Sequence, residues 1–220
     1  MNDLIRVNIP CGTDTNVSAG REPCQLGWYE WIGRKFCHNK NVMDVGAGMC
    51  LGIDIIKNMG ASSVFGQDID NRLSEVHKNI IITDIQNIEE NSYDVVTCFD
   101  VIEHVMEDLE FFHELKRITK DILVITTPNF TRSQARNHFH CREYTIPQFV
   151  NSFFPNEVWV ASPDGKIHHT LLLKKIKDNY LDITRNDVIY EETIPNDVSF
   201  CHSTVDGNEW PHMCGVFYVK

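Results

Sequence analysis

The sequence predicts an α/β protein: a doubly wound, mostly parallel sheet with helices on both faces and an antiparallel C-terminal part. Three observations predict it. Short apolar runs alternate with segments of helical periodicity. A glycine-rich turn, Asp44-Val45-Gly46-Ala47-Gly48, joins the first of these runs to a helical pattern. Acidic residues recur where successive runs end, at Asp68, Asp84 and Asp100. Strands that alternate with helical segments imply βαβ units and hence parallel pairing.

Taken in order, residues 1–25 read as irregular, with turn formers in Pro10-Cys11-Gly12-Thr13-Asp14. Leu26–Phe36 reads as a helix, because Leu26, Tyr29 and Ile32 share a face. Val42–Val45 is the first strand, and Leu51–Met59 a helix carrying Ile53, Ile55, Ile56 and Met59. Val64–Ile69 is the second strand, Leu73–Lys78 a short helix, and Ile80–Ile82 a third strand ending at Thr83-Asp84. Asp94–Phe99 is the fourth strand, Leu109–Ile118 a helix, and Ile122–Thr126 a fifth strand closed by Thr127-Pro128-Asn129. Thr145–Phe154 reads as a helix with Ile146, Phe149, Val150 and Phe153 on one face. Val158–Ala161 and His169–Leu173 read as strands flanking the turn formers Ser162-Pro163-Asp164-Gly165, and Val216–Val219 as a last strand. No repeat or linker interrupts the chain. It reads as one domain, 1–220: an N-terminal helical cap (1–39), a ligand-binding core (40–130) and a C-terminal part (131–220) that completes the site.

A length of 220 residues supports one sizeable core, and 42% hydrophobic with 23% charged residues is ordinary for a globular chain. The formal net charge of −11 argues against a long nucleic acid as partner, since clustered Lys and Arg supply most affinity for a phosphate backbone. No apolar run approaches the roughly 18 residues that a membrane span needs. Residues 1–10 lack the basic, apolar and small-residue order of a signal peptide. The expectation is an intracellular, cytoplasmic protein. None of the eight cysteines are paired at C-x-x-C spacing, so they are expected to be free thiols and not a zinc ribbon. Oligomeric state is not legible.

In an open α/β sheet, ligands lie beyond the carboxyl ends of the strands. Gly46, Ala47 and Gly48 stand there after strand one, Asp68 and Ile69 after strand two, Asp84 and Ile85 after strand three, and Phe99 at the end of strand four. Glycine lets backbone N–H groups approach a ligand closely. An acidic residue about twenty positions past the glycines suits two ribose hydroxyls. A dinucleotide fold would want G-x-G-x-x-G, whereas Gly46-x-Gly48-x-x-x-Gly52 places its third glycine one residue late.

The Asp-x-Gly-x-Gly pattern at Asp44–Gly48, the spacings to Asp68 and Asp84, and Tyr93-Asp94-Val95-Val96-Thr97-Cys98 together resemble the class I S-adenosylmethionine-dependent methyltransferases, over residues 40–130. That resemblance implies a Rossmann-like fold and S-adenosylmethionine as cofactor. It places Asp44 and the Gly46–Gly48 backbone, with Ala47, near the methionine part, Asp68 on the ribose hydroxyls, Ile69 against adenine, and Asp84 at the adenine amine. Ile85 and Phe99 complete the cofactor set. Cys50 stands where many members carry a third glycine.

A second constellation, Asp100-Val101-Ile102-Glu103-His104, follows strand four. If the chain turns helical there, positions i, i+3 and i+4 converge, and two carboxylates with an imidazole suit a divalent cation such as Mg2+ or Mn2+. The stretch Asn137 to Phe149, after strand five, belongs at the same end of the sheet. This pairing resembles the metal-dependent methyltransferases of small-RNA 3′-terminal riboses. They carry Glu-x-x-Glu-His after strand four, then Thr-Thr-Pro-Asn, matched by Thr126-Thr127-Pro128-Asn129, and a later histidine followed by an acidic residue, an aromatic and Thr. The resemblance implies metal ligands at Asp100, Glu103, His104 and His140, with Asp100 in place of a Glu. Val-Ile-Glu-His-Val also occurs in methyltransferases of quinol-like phenols, and no RNA-binding extension is visible.

Methyl transfer from a sulfonium is an in-line displacement that needs an oriented nucleophile. A bound cation lowers the pKa of a hydroxyl and orients it. His104, or a water held by Glu103, then takes the proton. The logic favours neighbouring hydroxyls, as in a sugar, a ribose terminus or a catechol. The acidic chain disfavours RNA, which leaves a small-molecule or glycan acceptor as the first expectation. A metal-free site with His104 as base, acting on a phenol, stays open beside it, as does a purely structural role for Glu103 and His140.

Overall fold

The computed structural model describes residues 22–130, 140–161, 166–172, 190–193 and 212–219. The turn formers of residues 10–14, His138 and Trp210 lie outside them. The chain forms α1 (Glu22–Phe36), β1 (Asn41–Val45), α2 (Leu51–Asn58), β2 (Ser63–Asp68), β3 (Ile80–Ile82), β4 (Tyr93–Phe99), α3 (Asp108–Ile118), β5 (Thr119–Pro128), α4 (Ile146–Phe153), β6 (Glu157–Ala161), β7 (Lys166–Leu172), β8 (Tyr190–Thr193) and β9 (His212–Tyr218).

All nine strands make one sheet in the order β3-β2-β1-β4-β5-β9-β6-β7-β8. The first five pair in parallel. β9 then inserts antiparallel between β5 and β6, and β7 and β8 continue antiparallel. This is the predicted doubly wound architecture with an antiparallel C-terminal part.

Both faces of the sheet are covered, so successive strand residues are apolar and enter different cores. Val42, Val64, Val95 and Val124 face a cluster with Trp28, Trp31 and Ile32 of α1 and Ile53 and Ile56 of α2. Met43, Val96, Leu123 and Ile125 face the opposite cluster, with Phe112, Leu115 and Ile118 of α3 and Phe149, Val150 and Phe153 of α4. Thr145 and Gln148 form a capping box at the start of α4, with Pro147 in its first turn.

Two predicted elements change character. Leu73–Lys78 is not a helix. A single 3-10 turn, Asn71–Leu73, occupies its start. Asp70 accepts from the Arg72 backbone N–H, and a side chain that bonds locally competes with helix propagation. The helix imagined from Asp100 is instead a 3-10 turn at Ile102–His104. β8, whose Tyr-Glu-Glu-Thr carries no apolar alternation, was not expected, and β9 starts four residues earlier than the apolar pattern suggests, at His212.

The strand order runs outward in both directions from the β1–β4 pair. Their carboxyl ends form the switch point at which α/β sheets hold ligands.

Candidate active site

Asp44, near the end of β1, is fully buried. It accepts hydrogen bonds from Tyr29 Oη at 2.9 Å and Thr97 Oγ1 at 2.7 Å. Burial pushes its carboxyl up to about 7, although both hydrogen bonds pull the other way. An unfolded chain would ionise Asp44 near 3.8, so between about pH 4 and 7 the unfolded state holds fewer protons than the folded one. Stability therefore falls as pH rises through that window. Denaturant titrations of wild type and Asp44→Asn should show the wild type losing stability relative to the variant from pH 4 to 7 and tracking it above.

After β1 the chain turns through Gly46 at φ 70° and Gly48 at φ 52°. The Gly46 and Ala47 N–H groups donate to Gln67 O at 2.8 and 3.0 Å, tying the turn to the end of β2. A Cβ on Gly46 would stand 2.4 Å from Val101 Cγ2, so only glycine admits this approach of the two loops. Gly48 N–H donates to Asp68 Oδ2 at 3.1 Å, and Asp68 Oδ1 accepts from the N–H groups of Ile69 and Asp70 at 2.7 and 3.0 Å. Asp68 is thus locked at the cradle's edge, with one lone pair remaining on Oδ2. Ile69 is 48% exposed beside it. Cys50 takes the left-handed conformation at φ 64° ahead of α2, the geometry for which a glycine is usual.

The remaining cofactor candidates divide. Asp84 is exposed and caps the turn after β3 by accepting from Gln86 N–H at 3.0 Å. Ile85 is turned into the α3-side core, not toward the cradle. Phe99 is buried with its ring 4.5 Å from that of Tyr29, so it supports the residue that holds Asp44.

Helix α1 contributes more than a cover. Tyr29 reaches Asp44 across α2 at Gly52, where a Cβ would stand 2.3 Å from the tyrosine ring. The neighbouring Trp28 donates from Nε1 to His212 Nδ1 at 3.1 Å. The apolar spacing of α1 marks both aromatics as core and carries no signal of these polar tips.

Beyond β4, Glu103, His104 and His140 come together: one potential ligand atom from each lies within 4.8 Å of the others. The His104 and His140 rings meet edge to face at 4.6 Å. Glu103 and His104 are buried, drawn inward by Ile102, which is wholly enclosed in the α3-side core. Thr127 Oγ1 donates to Glu103 Oε2 at 3.1 Å. His140 Nδ1 bonds to Glu143 Oε1. The two loops are stitched by main-chain bonds: Cys141 and Arg142 N–H groups donate to Glu103 O at 2.8 and 3.1 Å. Asp108, at the start of α3, anchors the later loop by pairing with Arg142 and accepting from Tyr144 Oη at 2.6 Å.

Asp100, expected among these ligands, does not join the group. It sits at φ 54°, in the left-handed region, so the i, i+3, i+4 convergence of a helix is not available to it. Its Oδ1 is held by His212 Nε2 at 2.7 Å and Thr126 Oγ1 at 3.2 Å. No spacing in the sequence links Asp100 to His212. β9 brings them together by entering the sheet beside β5.

Residues 43–122 match a family described as "Methyltransferase domain". A solved S-adenosylmethionine-dependent methyltransferase of Thermotoga maritima, described as a possible histamine N-methyltransferase, superposes with a TM-score of 0.59 at 10% identity, over 93% of this chain and 95% of that one. The chain has a Rossmann-like α/β fold shared with a solved methyltransferase. The YcgJ protein of Bacillus subtilis superposes on this fold with a TM-score of 0.50 at 16% identity, over 66% of this chain and 73% of that one. A Mycolicibacterium smegmatis protein named a probable S-adenosylmethionine-dependent methyltransferase is 31% identical over 129 residues, 52% of this chain. The chain spans about half the length of that curated relative. Among the described residues, no helix is long and apolar enough to cross a membrane.

Proposed function

We propose that this protein transfers the methyl group of S-adenosylmethionine to a hydroxyl oxygen, with a divalent cation (Mg2+ or Mn2+) at Glu103, His104 and His140, and that the acceptor is a sugar or glycan with neighbouring hydroxyls. The observation that carries the reading is the gathering of a carboxylate and two imidazoles within 4.8 Å, at the same end of the sheet as the Asp44–Gly48–Asp68 cradle. Their chemistry fits such an ion. A buried carboxylate calls for compensating charge, and mixed oxygen and imidazole donors suit a divalent cation. The Glu143 carboxylate behind His140 is the outer partner that such ligands commonly have.

When bound, the ion would lower the pKa of a coordinated hydroxyl and orient it. The chain's residues do the rest. Asp68 holds the ribose hydroxyls and fixes the Gly48 turn. Asp44, gripped by Tyr29 and Thr97, supports the methionine end. Thr127 holds Glu103 in place. Two adjacent hydroxyls on the acceptor would present one oxygen along the C–S axis, as in-line transfer requires.

The test is methyl transfer from S-adenosylmethionine to simple glycosides, nucleosides and catechols, with and without a chelator. The expected result is transfer to a vicinal diol, lost with the chelator and restored by Mn2+ or Mg2+. Transfer that the chelator leaves intact would favour the metal-free reading. Tight S-adenosylhomocysteine binding without transfer to any acceptor would favour a non-catalytic binding module.

A further inference from the structure

A second polar assembly, centred on Asp100, belongs neither to the cradle nor to the Glu103–His104–His140 group. It runs Trp28 Nε1–H to His212 Nδ1 (3.1 Å), then His212 Nε2–H to Asp100 Oδ1 (2.7 Å), with Thr126 Oγ1 donating to the same oxygen (3.2 Å). We infer that Asp100, oriented by His212 and Thr126, is the carboxylate that receives the acceptor's proton during methyl transfer, and not a metal ligand. The inference rests on the methyl-transfer reading above.

Four features carry it. First, Asp100 is bracketed by residues packed on the cradle. Phe99 stacks on Tyr29, the donor to Asp44, and Val101 lies against Gly46. Asp100 therefore stands in the chain between two residues that pack on the cradle. Second, the aspartate holds a left-handed backbone, fixed by its N–H donating to Thr126 O at 3.0 Å. Non-glycine residues held in that conformation are uncommon, and they cluster at functional sites. Third, the hydrogen-bond chain fixes the proton's place. An indole N–H only donates, so His212 Nδ1 must accept and its ring proton sits on Nε2, facing Asp100. His212 cannot take a second proton at Nδ1 without losing Trp28, so the carboxylate is the basic member of the pair. Fourth, the assembly is enclosed: Trp28 is fully buried, and the His212 and Asp100 side chains are 4% and 11% exposed. The pair joins α1, β4, β5 and β9, which makes it a rigid mount for one carboxylate.

The step balances without an added reactant. The C–S bond of the sulfonium breaks with its electron pair going to sulfur, giving the thioether. The acceptor oxygen forms the new O–CH3 bond, and its proton passes to the Asp100 carboxylate and then to solvent. Asp100 is the catalytic residue. His212, Thr126 and Trp28 are positioning residues.

The test compares Asp100→Asn, His212→Gln and His212→Leu with wild type. It reads kcat, KM, S-adenosylhomocysteine affinity, and Mn2+ binding by electron paramagnetic resonance. Asp100→Asn is expected to lower kcat by about 100-fold or more, in the range for general-base removal. Cofactor affinity and Mn2+ affinity should stay within about two-fold, which also establishes folding. His212→Gln keeps an N–H toward Asp100 and should retain kcat within about five-fold, whereas His212→Leu should lose roughly ten-fold or more at unchanged KM. Weakened Mn2+ binding in Asp100→Asn would make the residue a ligand and overturn the inference, as would an unchanged kcat. Transfer by wild type with Asp100→Asn unaffected sinks this inference alone. No transfer by wild type to any acceptor sinks the methyl-transfer reading with it.

Discussion

His140→Ala and His104→Ala should each reduce methyl transfer by about 10³-fold or more, because loss of a bound cation removes several kcal/mol of transition-state stabilisation. Affinity for S-adenosylhomocysteine, measured by calorimetry, should stay within a few-fold, since neither residue belongs to the Asp44–Gly48–Asp68 cradle. The structural consequence should also be small. His140 sits on a loop held independently by Cys141 and Arg142 N–H bonds to Glu103 O and by the Asp108–Tyr144 bond. Full activity in His140→Ala would show that the three side chains gather without holding an ion that matters to the reaction.

Asp68→Ala should act in the opposite sense, on binding before catalysis. The carboxylate accepts three main-chain N–H groups, those of Gly48, Ile69 and Asp70, so its removal releases the glycine turn as well as the proposed ribose contact. Hydrogen bonds to charged groups are worth about 1.5–3 kcal/mol each. The dissociation constant for S-adenosylhomocysteine should therefore rise by about 30-fold or more, while kcat at saturating cofactor changes little. Asp68→Asn should recover part of the loss through its one remaining acceptor oxygen. Unchanged affinity in Asp68→Ala would place the cofactor elsewhere.

The two variants divide the site as the chain divides it. The cradle is built from β1, β2 and the start of α2, all local βαβ structure. The Glu103–His104–His140 group is built from the turns after β4 and β5, which only the assembled sheet brings near one another.

That division also explains what was legible beforehand. The parallel half of the sheet could be read from Val42–Val45, Val64–Ile69 and Asp94–Phe99, because strands buried on both faces appear as plain apolar runs. Gly46 and Asp68 follow from their spacing along a single βαβ unit, and Asp44 from the family resemblance. Glu103 and His104 follow from their spacing after strand four and His140 from a family resemblance, and the structure brings the three side chains to one place.

What failed to show was governed by backbone turns or long-range packing. Asp100 was expected to point with Glu103, but one left-handed residue sends its carboxylate to β9 instead. Ile85 was expected at the cofactor, but the turn capped by Asp84 buries it on the opposite face. His212 could not be ranked among the C-terminal histidines, because its partners are Trp28 and Asp100 and no periodicity spans those distances. The hydroxyl of Tyr29 was hidden for a related reason: helical spacing reports that a ring is buried, not where its polar tip ends.

The proposed chemistry requires one end of the sheet to hold a cofactor and a cation together. The direct measurement is a crystal structure grown with S-adenosylhomocysteine and Mn2+, with anomalous data collected at the manganese edge. The expected result is one strong anomalous peak within coordination distance of Glu103, His104 and His140, and the ribose hydroxyls on Asp68. Bound S-adenosylhomocysteine with no manganese between those three side chains, or manganese bound through Asp100, would contradict it.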